Sequence, residues 1–193
     1  MSSDNHRVCP VELAGSLDNR IRRWLQDPRK ILAPYVREGM KVLDFGCGPG
    51  VFSVELARMV GKSGRVFAAD LQEGMLEKLR RKITGTDLEK SITLVKCDAD
   101  RINVFETVDF ITAFYVVHEV PDKNSLFRQL MSILRVGGEL LLVEPKFLTV
   151  SRKDFDLTTG LAEANGFSVH QGPKIRFSWS AVLRHGEMKE ART

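Results

Sequence analysis

The sequence predicts an α/β domain: a mostly parallel sheet with helices on both faces and an antiparallel hairpin at the C-terminal end. Three observations predict it. From about residue 41 onward, short apolar runs alternate with stretches of helical periodicity. The runs at 42–45 (VLDF), 65–70 (RVFAAD), 92–99 (ITLVKCDA) and 109–114 (DFITAF) are mostly unalternating, as in strands covered on both faces. The last two runs, about 167–171 and 174–183, are separated only by the turn residues Gly172 and Pro173, with no helix between them.

Each element follows in order. Leu17, Ile21, Trp24 and Leu25 stand at helical spacing within residues 11–25. Asp27 and Pro28 read as an N-cap followed by proline at the first helical position. The helix they open runs to about residue 36, with Ile31, Leu32 and Tyr35 facing inward, and Gly39 ends it. After a glycine-rich turn at 46–50, a helix carries Phe52, Leu56, Met59 and Val60 on one side. The next helix carries Met75, Leu76, Leu79 and Ile83, and a third, after Pro121 and Asp122, carries Leu126, Phe127, Leu130, Ile133 and Leu134. A last helix, about 152–164, ends at Asn165 and Gly166, a good C-cap pair. Only residues 145–151 join the fifth strand to it, too few for an inserted substrate domain. The expected organisation is therefore a single domain: an N-terminal helical lid over 1–36, a core over 37–183 and a polar tail over 184–193.

Composition bounds the function. The 193 residues fit one domain with a full core, and 43% apolar and 28% charged residues match an ordinary globular chain. No apolar run approaches the about 20 residues of a membrane span, and the start of the chain lacks the apolar core of a signal peptide. Cysteines 9, 47 and 97 are too few and too scattered for a disulfide framework or a zinc ribbon. The expectation is a cytoplasmic protein with no required metal. A net charge of +4 and a pI of about 9.0 raise the question of nucleic acid. The bases are interspersed with acids, however, and the densest cluster is Arg20, Arg22 and Arg23, which favours solvated helix faces. The oligomeric state is left open.

Residues 42–50 (VLDFGCGPG) form a strand that ends in a glycine turn before a helix. Gly46, Gly48 and Gly50 let the backbone bend sharply and approach a ligand. Asp44 beside that turn would repel a pyrophosphate and attract a cation, and Val51 stands where a dinucleotide fingerprint wants a small residue. A ligand bearing an ammonium and a sulfonium suits the place. The segment resembles the first motif of the class I S-adenosylmethionine-dependent methyltransferases. Asp70 ending the second strand, CDAD at 97–100 ending the third, YVVHEVPD at 115–122 after the fourth and LRVGGELLLVE at 134–144 around the fifth repeat that family's landmarks in order. The likeness covers about residues 30–183 and is nearest to the small ubiquinone- and menaquinone-biosynthesis-type branch.

The resemblance implies a Rossmann-like fold with seven strands and S-adenosyl-L-methionine as cofactor. It places Asp44 near the methionine amino group, with Gly46, Cys47, Gly48 and Gly50 in the cofactor turn. Asp70 would hold the ribose hydroxyls, and Asp98 would meet the adenine amino group, with Asp100 as the competing acid. Leu71 and Ala99 would flank the adenine ring. Phe114 stands where the family often has a polar residue, which makes this point more apolar. His118 and Glu119 are the side chains near the expected methyl that could move a proton. The sequence leaves His118 open between general base and structural residue. Trp24, Tyr115 and Glu144 are candidates for the acceptor side; Glu144 could equally pair with Lys146 or a lid arginine. The function expected is methyl transfer to a small-molecule acceptor. The alternatives are a cofactor-binding protein of this fold without turnover and a methyltransferase of RNA or protein; a nicotinamide dehydrogenase is disfavoured by Asp44 and Val51.

Overall fold

In the computed structural model, residues 27–146 and 150–186 are described. The predicted helix at 11–25, with Trp24, lies outside them, as does most of the expected lid.

Seven strands form one sheet: β1 (Lys41–Phe45), β2 (Arg65–Asp70), β3 (Ile92–Lys96), β4 (Val108–Phe114), β5 (Leu134–Pro145), β6 (Phe167–Gln171) and β7 (Ser178–His185). Their order is β3-β2-β1-β4-β5-β7-β6, with β7 alone running opposite to the other six. The order reverses direction at β1, which has β2 on one side and β4 on the other. Ligands of such sheets bind beyond the carboxyl ends at that switch point.

The helices are α1 (Pro28–Leu32), α2 (Val51–Val60), α3 (Glu73–Ile83), α4 (Lys123–Ile133) and α5 (Arg152–Ala164). Side chains alternate across the strands, so the sheet buries a core on each face. One packs Leu43, Ile111, Leu140 and Leu142 against Phe127 and Leu130 of α4 and Phe155 of α5. The other packs Val42, Phe110 and Leu141 against Leu56 of α2, Leu79 of α3 and Leu32 of α1. Capping sets several helix starts: Asp27 accepts from Arg29 N at 3.1 Å, Asp122 caps α4, and Ser151 and Asp154 form a reciprocal capping box on α5.

Three boundaries differ from the sequence reading. The third strand stops at Lys96 instead of running on to Asp98 and Ala99, because the chain turns there, Asp98 N donating to Arg101 O at 2.9 Å. The first helix stops at Leu32 instead of reaching 36, because Pro34 has no N–H to continue the ladder; the chain goes on through single turns, Tyr35 N and Val36 N both donating to Leu32 O. The last strand begins at Ser178 instead of 174. Residues 174–177 make a loop containing Phe177 at φ 59°, and β7 then runs on to His185, so two residues expected in the tail belong to the sheet.

Candidate active site

Beyond the carboxyl ends of β1, β2, β3 and β4 lies a cavity of about 290 Å³. Its base is the glycine turn. Gly46 N and Cys47 N both donate to Ala69 O of β2, at 2.8 and 3.0 Å, which folds the turn back over the sheet. At Gly46, φ is 70° and an added Cβ would lie 2.4 Å from Val116 Cγ2, so only glycine fits. At Gly48, φ 53°, an added Cβ would meet nothing within 4 Å, and the missing side chain leaves the turn open to close approach from the cavity. Gly50, the third glycine expected at the cofactor, does not line the cavity; it is the N-cap of α2, packed against Leu79.

Asp44 is 2% exposed, at the end of β1 and on the α2 side of the sheet. Ser53 Oγ, from the buried stripe of α2, donates to its Oδ2 at 2.5 Å. Burial pushes the Asp44 carboxyl up to about 7; the Ser53 hydrogen bond opposes that rise and the Asp70 charge adds to it. The fixed charge expected at this place is thus a group that titrates near neutrality until a cation joins it. Sequence reasoning missed Ser53, although its spacing to Leu56, Ala57 and Val60 marked a hydroxyl inside an apolar helix face.

Asp70 holds the far side of the turn. Its Oδ2 accepts from Gly48 N and its Oδ1 from Gln72 N, both at 2.8 Å. Each oxygen keeps a second acceptor direction. Burial raises this carboxyl, against the two backbone hydrogen bonds and the Lys96 charge, which lower it. Leu71 follows, 41% exposed although apolar, and Ala99 faces the same space from the loop after β3. Asp98 and Asp100 both line the cavity. Lys96 Nζ donates to the carbonyls of Leu71 and Cys97, stapling the loops after β2 and β3 together.

Phe114 ends β4 in the cavity wall, stacked on Phe52 with centroids 4.2 Å apart. Tyr115 comes next at φ 60°, an uncommon backbone for an aromatic residue, and its hydroxyl lies 2.5 Å from Ser178 Oγ. Cys47 is buried, and burial followed by the Asp44, Asp70 and Cys97 charges holds its thiol well above the ordinary range, which leaves it unreactive.

His118 finds a partner that the sequence did not identify. Its Nδ1 lies 2.5 Å from Glu144 Oε2, and its backbone N donates to Glu144 Oε1 at 3.1 Å. Glu144 is 1% exposed at the end of β5, so its carboxylate is held by His118 instead of Lys146, whose ammonium sits over the Trp179 ring. Burial alone would depress the His118 imidazole, but the Glu144 hydrogen bond and the charges of Glu144 and Glu119 raise it above the ordinary histidine value. His118 Nε2 lies 4.0 Å from Glu119 Oε1. Glu119 lines the cavity; His118 and Glu144 stand behind it and do not.

These residues fit S-adenosylmethionine: an acid for the ammonium, a turn at Gly48 with no side chain to block approach, carboxylate lone pairs for a ribose diol, and apolar surface at Leu71 and Ala99 for a flat ring. The fold, with this strand order and a glycine turn at the switch point, is that of the class I S-adenosylmethionine-dependent methyltransferases. A solved S-adenosylmethionine-dependent methyltransferase from Aquifex aeolicus superposes with a TM-score of 0.81 at 24% identity, over 91% of this chain and 98% of its own. A methyltransferase from Pyrococcus furiosus does so with a TM-score of 0.68 at 20% identity, over the same shares. The family model described as a methyltransferase domain matches residues 42–138, and the chain belongs to that family. S-adenosylmethionine is the cofactor of the class. Among curated proteins, a ubiquinone/menaquinone biosynthesis C-methyltransferase of Haemophilus ducreyi is 29% identical over 163 residues, which cover 82% of this chain and 63% of the relative. No helix among the described residues is long and apolar enough to cross a membrane.

Proposed function

We infer that this methyltransferase acts on a small cytoplasmic molecule whose acceptor atom must give up a proton. The observation that carries the reading is the His118–Glu144 pair at the carboxyl ends of β4 and β5.

When bound, the cofactor supplies a methyl group already activated by its positive sulfur, so the protein's work is alignment, exclusion of water and proton removal. Asp44, Gly48, Asp70 and Asp98 would hold the cofactor. Glu144 keeps the His118 proton on Nδ1 and leaves Nε2 as the proton-accepting atom, in the arrangement by which a carboxylate orients a histidine base. Glu119, which lines the cavity and lies 4.0 Å from Nε2, would pass the acceptor's proton on to His118 and stabilise the imidazolium formed. The Phe52, Phe114 and Tyr115 rings favour a flat, apolar acceptor. The relatives named for C-methylation in quinone biosynthesis make an electron-rich hydroxylated ring the first acceptor to try.

Transfer of labelled methyl to a panel of hydroxylated aromatics, with RNA and protein as parallel substrates, tests the reading. On the best acceptor, His118→Ala should lower turnover by about 10²–10⁴-fold with cofactor affinity unchanged. Label found only in RNA or protein would overturn the acceptor class. Cofactor binding with no transfer to any acceptor would point to the binding-protein alternative.

A further inference from the structure

The loop after β3 lines the cavity with two acids. Asp98 and Asp100 both face that cavity, and sequence alone does not choose between them. Asn103 chooses. Its backbone is left-handed, φ 60°, a conformation asparagine tolerates better than most residues. That turn brings the side chain back over its own loop. The two hydrogens of its amide are both used: Nδ2 donates to Lys96 O at 3.0 Å and to Asp98 Oδ2 at 3.0 Å. A planar NH₂ fixed by the last carbonyl of β3 therefore fixes one oxygen of Asp98. The second oxygen, Oδ1, is left to meet a donor in the cavity.

Gln129 of α4 ties the same loop by its backbone. Its Nε2 donates to Asp100 O at 2.8 Å, and its Oε1 accepts from Ile102 N at 3.0 Å. The two amides differ in what they hold. Gln129 holds the loop's path, and Asn103 holds the Asp98 carboxylate.

We propose that Asn103 is a specificity-determining positioning residue, which orients Asp98 so that the site selects a 6-aminopurine over a 6-oxopurine. This rests on the reading of the cavity as the S-adenosylmethionine site. A carboxylate oxygen accepts from an exocyclic amino group and repels a carbonyl oxygen at the same position. A carboxylate free to rotate loses that discrimination, because it can turn away from the carbonyl into water.

The test is calorimetric and needs no acceptor. S-adenosylhomocysteine and its 6-oxo counterpart, S-inosylhomocysteine, are titrated into wild type, Asn103→Gly and Gln129→Leu. Glycine tolerates the left-handed backbone while removing the side chain and its amide, and thermal melting checks that each variant is folded. Wild type should prefer the 6-amino ligand by about tenfold or more, the scale of one hydrogen bond to a charged group. In Asn103→Gly that preference should shrink to within about threefold, mainly through weaker binding of the 6-amino ligand. Gln129→Leu should weaken both ligands alike and keep the preference. Equal weakening of both ligands by Asn103→Gly, or a wild type that does not discriminate, would overturn the proposal. A wild type that binds neither ligand would overturn the cofactor reading itself, and the proposal with it.

Discussion

The Ser53 hydroxyl donates to Asp44 Oδ2 at 2.5 Å beneath the glycine turn, and the two side chains are 0% and 2% exposed. Without a cation, the carboxyl titrates at about 7 because burial disfavours its charge. An acid whose folded value is raised binds more protons folded than unfolded. Its contribution to stability is therefore lost as pH rises from its unfolded value of about 4 through 7. Asp44→Asn should raise the melting temperature of the ligand-free protein at pH 8 and leave it nearly unchanged at pH 5. Cofactor affinity should move the other way: wild-type binding should weaken by up to about tenfold per unit below pH 7, and the variant should bind weakly at every pH. Melting curves and calorimetry at both pH values check this; a melting-temperature gain equal at pH 5 and pH 8 would show that Asp44 is not the titrating group.

Asp70 has two duties. It accepts the N–H groups of Gly48 and Gln72 and faces the cavity. Asp70→Ala should weaken S-adenosylhomocysteine binding at least about tenfold, and should also lower ligand-free stability by about 1–3 kcal/mol, since two backbone donors lose their acceptor. Denaturant unfolding beside calorimetry separates the effects. Unchanged stability would mean that water replaces the carboxylate at the turn.

Glu144 should set the pH at which His118 loses its proton. The raised imidazole value makes the pair's contribution complete below the ordinary histidine value of 6.5 and lost as pH rises through the raised one. Glu144→Gln should shift the His118 NMR titration to lower pH, and the rising limb of the rate profile should shift with it. A titration that stays in place would show that Glu144 does not govern the imidazole.

Thr112 of β4 pairs in register with Asp44, and its hydroxyl is buried with no hydrogen-bond partner among the described residues. Valine keeps the shape and removes that oxygen. Thr112→Val should stabilise the protein by about 1 kcal/mol, seen as a melting temperature about 2–4 °C higher. A loss of stability would place a bound water, or the Asp44 proton, on that hydroxyl.

The sequence by itself determined the strands, the turn and the family because these are written in local patterns. Unalternating apolar runs mark covered strands, glycines at 46, 48 and 50 mark a turn that side chains would block, and helical spacing marked the buried faces of α3 and α4. Asp70 and Asp98, acids at or just beyond the ends of such runs, both line the cavity. What the tertiary structure decided was who meets whom. His118 and Glu144 are 26 residues apart and touch because β4 lies beside β5; nothing local distinguishes that pairing from one with Lys146. Asp44 reads in sequence as a plain charge, and only its burial beneath α2 makes it titrate near neutrality. Asn103 carried no signal at all, since its role comes from a left-handed backbone that turns its amide onto Asp98. Periodicity reports which face of an element is buried; strand register and loop path set the partners, and those depend on the whole chain packing at once.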